Sequence, residues 1–310
     1  MWGGGVTSPY DTMNPTKTIV IIAVAVIMTV YIVYPLTENP GADANTLDVI
    51  IIDGQSNAEY NQYCNVNALD LPVPNHKLLY YGTESAANKY PGTTSTGVYE
   101  MCRNGYWKIG GLEPTLAYYY SLNTNHPVLT INVARGAMSI SWLSSDGVTY
   151  AQEVINAALA EVSGYKINYV GWVMLQGEAD DDMEVDTYKD YFLVLEDYFK
   201  SIGCPSCYIA KTRAYWGGNS VTAQEELCEE YPDIHMATTV SDTFADGSPY
   251  VMPVSIHYTQ LGRNVIGEDL GIYIAKDHDM PGQSILIVIP IILVIGIILL
   301  AARIVVNRND

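Results

Sequence analysis

The chain has 310 residues, 49% of them hydrophobic, and carries 34 acidic against 15 basic side chains for a net charge of −19. That length and apolar content supply one sizeable core with residues to spare for membrane segments. So acidic a surface repels phosphate backbones and excludes a nucleic-acid partner.

Residues 1–17 form a short tail ending at Lys17. Residues 18–36 (TIVIIAVAVIMTVYIVYPL) contain no charge. At ~1.5 Å per helical residue such a run just crosses a hydrocarbon core ~30 Å thick, and it predicts a transmembrane helix. A small-residue cleavage-like site, Ala42-Asp43-Ala44, lies well past the run, so an uncleaved anchor is expected. A second uncharged run, 285–302 (ILIVIPIILVIGIILLAA), predicts another span, and 303–310 form the C-terminal tail. Two spans place both tails on one side of the bilayer. Lys17, Arg303 and Arg308 beside the spans favour the cytoplasmic side, or a virion interior, leaving the central segment extracytoplasmic.

Between the spans, residues 37–46 read as a polar linker and 47–278 as the folded domain. Short β-branched runs predict buried strands at 47–53 (LDVIIID), 127–133 (PVLTINV), 167–175 (INYVGWVML) and 207–212 (CYIAKT). Helical periodicity separates or follows them at 149–163, 185–202 and 259–276. Strands alternating with helices predict an α/β layer fold with a mostly parallel sheet. Residues 60–110, rich in Tyr, Asn and Gly without periodicity, read as long loops near the site. An outside location permits disulfides. Cys64 with Cys102 is a plausible pair, and Cys228 suits either Cys204 or Cys207.

Four strand ends or turns carry groups suited to acyl transfer. The first strand runs into Gly54-Gln55-Ser56-Asn57, where the glycine permits a tight turn and exposes the serine. The second is followed by Ala134-Arg135-Gly136-Ala137, with Ile140 and Trp142 beyond. The third opens onto Gln176-Gly177-Glu178-Ala179-Asp180. Near the end, Ser255-Ile256-His257 precedes the last helix. A serine hydroxyl becomes a nucleophile when a neighbouring base takes its proton, which casts Ser56 with His257. The acidic run 178–184 (EADDDME) reads as a solvated helix start in preference to a calcium site, so no metal and no other cofactor is expected.

GQSN, the glycine turn followed by Ile and Trp, QGExD, and IH before a helix with an early glycine together resemble the SGNH hydrolases. The branch is that of the sialate O-acetylesterase-like and acetylxylan-esterase-like carbohydrate esterases, and the resemblance spans roughly 47–276. It implies a three-layer α/β/α, flavodoxin-like domain that removes acetyl or other small acyl groups from glycans. Ser56 would be the nucleophile and His257 the base. The backbone N–H groups of Ser56 and Gly136, with the Gln176 side-chain amide, would form the oxyanion hole. Asn57 and Arg135 stand where a substrate would lie, Arg135 suited to a sialic acid carboxylate, with Asn57 holding the turn as the other reading of that residue. The family's Asp two or three residues before the His is missing, since Val254 and Ser255 stand there. Glu178 is the first choice to orient His257, with Asp242, Asp246 or a backbone carbonyl as alternatives. Met174 replaces the usual Trp before QGE, and Ala137 replaces a second glycine. A catalytically inactive glycan-binding or structural surface protein, cellular or of a virion envelope, is the alternative. Oligomeric state is not legible.

Overall fold

The computed structural model describes residues 45–60, 70–82, 95–104, 106–213, 218–253 and 255–278. The two apolar runs, both tails, Cys64 and Val254 lie outside the described residues. Among those described, no helix is long and apolar enough to cross a membrane. Residues Ala42–His278 belong to one compact unit.

Strand β1 (Thr46–Gly54) is buried at every position after the first. The reason is its place in the sheet: it pairs in parallel with β6 (Val128–Asn132) on one side and β7 (Lys166–Leu175) on the other. Outward from β6 come β2 (Leu78–Gly82) and the edge strand β3 (Gly97–Glu100). Outward from β7 come β8 (Cys207–Ala210) and β9 (Ile234–Thr238). The order is β3-β2-β6-β1-β7-β8-β9, and only β3 runs antiparallel. A small hairpin, β4 (Cys102–Arg103) and β5 (Tyr106–Trp107), stands apart.

Alternate residues of β1 enter opposite cores, as the period of two requires. Ile50 and Ile52 face α1 (Glu113–Thr124) and the last helix α6 (Gln260–Asp277), through Leu116, Tyr120, Ile266, Leu270 and Ile274. Leu47, Val49 and Ile51 face a second core, which includes residues of α2 (Ile140–Leu143), α3 (Asp146–Glu161), α4 (Val185–Ser201) and α5 (Gly218–Glu230). In α4 the buried Tyr188, Phe192, Leu195 and Phe199 recur at helical spacing, so one stripe is covered while Asp186, Asp190 and Asp197 stay exposed. Helices cover both faces of the sheet, which gives three layers.

The strands expected at 47–53, 127–133, 167–175 and 207–212 form, as do helices at the three predicted segments. The long-loop reading of 60–110 is corrected by β2, β3 and the hairpin. Helices α1 and α5 and strand β9 were also absent from the prediction. The expected disulfide from Cys228 to Cys204 or Cys207 is corrected too. All three are free thiols, and burial pushes Cys204 up to about 12 and Cys228 to about 11. The proposed partner of Cys102, Cys64, lies outside the described residues.

At the amino ends of the strands, Asp48 is fully buried and held by Tyr120 Oη (2.8 Å), Asn168 Nδ2 (2.9 Å) and His126 Nδ1 (2.8 Å). This ties β1 to α1, β7 and the loop before β6. The opposite, carboxyl ends of β6, β1 and β7 lie side by side, and they bring Gly136, Ser56 and Gln176 to one edge.

Candidate active site

The turn after β1 is held from three directions. Gly54 has φ +135°, and a Cβ there would collide with the Leu175 carbonyl, so only glycine lets β1 and β7 approach this closely. Gln55 N–H donates to Leu175 O (3.2 Å), and Arg135 N–H donates to Gly54 O (3.0 Å), tying the turn to both neighbouring strands. Arg263 of α6, fully buried, donates to Ser56 O (3.0 Å), Glu59 O (3.3 Å) and Asn57 O. One guanidinium thus fixes three carbonyls of the turn that carries Ser56, using the planar fork that suits it to several acceptors at once.

Ser56 and His257 meet: His257 Nε2 lies 3.0 Å from Ser56 Oγ. Residues 201 positions apart are brought to hydrogen-bond distance. On the other side of the ring, Nδ1 lies 2.8 Å from Ser255 Oγ, which also accepts the His257 backbone N–H at 3.1 Å. Ser255 therefore occupies the orienting position.

The expectation that Glu178 orients His257 is corrected. Its Oε1 accepts from Asn57 Nδ2 at 2.7 Å, and its Oε2 is buried and makes no hydrogen bond among the described residues. The alternatives go elsewhere: Asp242 pairs with Lys211 (2.9 Å) and Asp246 with Arg213 (2.9 Å). Asn57, expected either beside substrate or holding the turn, is fully buried, which corrects the first expectation. It donates to Ile256 O (3.1 Å) and accepts from Tyr258 N–H (3.0 Å), so it clamps the residues on either side of His257. Glu178 acts on the histidine at one remove, through Asn57.

Gln176 is likewise corrected. Its side chain is fully buried, with Nε2 donating to Asp180 Oδ2 and, at 3.4 Å each, to Gln55 Oε1 and Met138 O. Its Oε1 accepts from Tyr188 Oη at 2.9 Å. An amide committed to this network braces the floor of the site instead of presenting a donor to substrate. Gly136 does lie beside Ser56, since a Cβ built on it would stand 3.8 Å from Ser56 Cβ. Its N–H donates to Glu59 Oε2 at 3.0 Å. Arg135 is half-buried with its guanidinium over the Tyr150 ring, 5.1 Å from the centroid.

Burial sets the protonation equilibria. It raises Glu178, against the Asn57 hydrogen bond and the nearby Arg263. It raises Glu59 to about 6, against the Gly136 N–H, Arg135 and Arg263. It lowers His257, and the Arg263 charge adds to that effect, so the ring stays neutral to below its ordinary pH range.

Sequence reasoning missed Arg263, Ser255 and Glu59. Arg263 had a signal: it falls in helical phase with Ile266, Leu270 and Ile274, a cation on the apolar face of its own helix. Ser255 was visible only as a missing acid. For Glu59 nothing in the sequence separates a solvated carboxylate from one turned onto Gly136.

No protein-family model matches the sequence, and no curated protein matches it. Solved structures do. A protein from Arabidopsis thaliana is similar at TM-score 0.51 and 13% identity, over 75% of this chain and 99% of that one. A carbohydrate acetylesterase from Xanthomonas citri is similar at 0.49 and 16%, over 75% of this chain and 57% of that one. NanS is similar at 0.45 and 15%, over 75% and 97%. At such identities likeness speaks to fold alone. In fold, the central domain is an α/β domain with a mostly parallel sheet, similar to that of the Arabidopsis thaliana protein.

Proposed function

We propose that this chain is a serine esterase that removes acetyl or other small acyl groups from glycans through a Ser56 acyl-enzyme. The observation that carries the reading is the Ser56 Oγ–His257 Nε2 contact of 3.0 Å, backed by Ser255 on Nδ1. His257 Nε2 takes the Ser56 proton as Oγ attacks the ester carbonyl. His257 then gives that proton to the departing alcohol. Water, activated by the same ring, hydrolyses the acyl-enzyme. The Ser56 and Gly136 backbone N–H groups are the donors assigned to the oxyanion, without Gln176. The glycan substrate rests on the sequence resemblance to carbohydrate esterases, as does the place of Arg135 near substrate.

In this reading residues 18–36 and 285–302 anchor the domain 47–278 by two spans, with tails inside and the domain outside, which rests on their length and lack of charge. The test is release of acetate from a 4-nitrophenyl ester and an acetylated polysaccharide by the full chain and by Ser56→Ala. The reading expects at least about a thousandfold loss in the variant, and equal rates refute it. One observation favours an inactive, binding role: the Gly136 N–H already carries the Glu59 carboxylate. A wild-type chain that binds acetylated glycan but hydrolyses neither ester at any pH between 4 and 9 would establish that alternative.

A further inference from the structure

The Gly136 N–H is one of the two donors that the esterase reading assigns to the oxyanion, and it donates to Glu59 Oε2 at 3.0 Å. A Cβ added to Gly136 would meet the same oxygen, 2.6 Å away, and Ser56 Cβ at 3.8 Å. The carboxylate therefore shares one small volume with the nucleophile. It sits three residues beyond Ser56, on a turn whose carbonyls Arg263 fixes, so it is aimed by the same scaffold. An ionised carboxylate there competes with the substrate carbonyl for the donor, and it repels the negative charge that develops in the transition state.

We propose that Glu59 is the residue that sets acyl specificity and gates the oxyanion hole: it must give up the Gly136 N–H before an ester can react, and it discriminates against anionic acyl groups. The inference rests on the esterase reading above. Two cations face Glu59, Arg135 from the turn after β6 and Arg263 from α6, and Arg263 also lies near His257 and Glu178. Despite them, burial leaves Glu59 half-protonated at about pH 6. The gate is thus neutral below that pH and charged above it. His257 needs the opposite, a neutral ring, and its lowered value preserves one at mildly acidic pH. Hydrolysis is fastest in the window between the two.

The experiment measures kcat/KM for 4-nitrophenyl acetate and 4-nitrophenyl hemisuccinate from pH 4 to 9, on the full chain and on Ser56→Ala, Glu59→Gln and Glu59→Ala. Expected is a wild-type profile that falls above about pH 6, a Glu59→Gln profile that keeps only the acid limb, and an acetate rate at pH 8 raised by at least about fivefold. The hemisuccinate rate rises more than the acetate rate in both Glu59 variants. If Ser56→Ala is inactive while both Glu59 variants keep the wild-type profile and acyl preference, the gate is overturned and the esterase stands. Should Glu59→Ala fail to fold, Glu59→Gln decides alone. Activity that survives Ser56→Ala, or is absent from every variant at every pH, overturns both.

Discussion

At the scale of single residues, a serine stands where an acid is expected beside the histidine. Ser255 Oγ stands 2.8 Å from His257 Nδ1 and adds no charge, so it orients the ring without holding the imidazolium as a carboxylate would. Two outcomes follow. Ser255→Ala lowers kcat by about tenfold to a hundredfold with little change in KM, because the ring loses orientation and the substrate contacts remain. Ser255→Asp places a negative charge on Nδ1, raises the His257 pKa, and moves the acid limb of kcat/KM to higher pH. A pH profile unchanged by Ser255→Asp would show that Ser255 does not act through the ring. At this scale the sequence was only partly legible. The pair Ser56 and His257 could be read because each sits at a turn with little else to do. Gln176 and Glu178 misled because their partners, Asp180 and Asn57, are chosen by packing under the site, and no spacing rule exposes that.

At the scale of elements, α6 does most of the assembly. Its entry loop delivers His257, its second turn delivers Arg263, and its body lies against α1. The contact is close because Gly267 and Gly271 face α1. A Cβ at Gly267 would collide with Thr115 Oγ1 and the Leu112 carbonyl, and one at Gly271 would lie 2.5 Å from Leu116 O. Gly271→Val therefore costs roughly 2–4 kcal/mol by overpacking, less whatever helix propensity is gained, read as a lower urea midpoint. Arg263→Met removes a cation beside the buried Glu178 and the half-buried Glu59 and strands three carbonyls, and about 3–5 kcal/mol of stability goes with it. A loss under about 1 kcal/mol would mean that the turn is self-supporting. Central strands such as LDVIIID were legible because burial on both faces leaves an apolar run. Strand β2 (LLYYG) and helix α1 (EPTLAYYYSLNT) were not, since tyrosines serve surface and core alike and give no clear period.

At the scale of the molecule, burial makes carboxyls costly to ionise. Asp53, at the end of β1, is pushed up to about 7 by burial, against the Gly54 N–H at 2.7 Å. A carboxyl whose folded pKa exceeds its unfolded value of about 3.9 binds more protons in the folded state. It contributes stability at low pH that is lost as pH rises from about 4 to about 7. Asp53→Asn removes that slope. Urea unfolding at pH 5 and pH 8 should show the wild type losing more stability than the variant, and identical slopes would contradict the assignment. The layer architecture itself was legible from alternation of strand and helix alone, because connection rules leave few ways to cover a parallel sheet.

The account stands on a hydroxyl at Ser56 activated by a neutral His257, and a fluorophosphonate probe reads that activation directly. Incubated with the full chain at pH 6 and digested for mass spectrometry, the probe is expected to leave one phosphonyl adduct, on the peptide containing Ser56, and none in His257→Ala. Absence of the adduct from wild type, or equal labelling of the His257→Ala chain, would contradict the central claim.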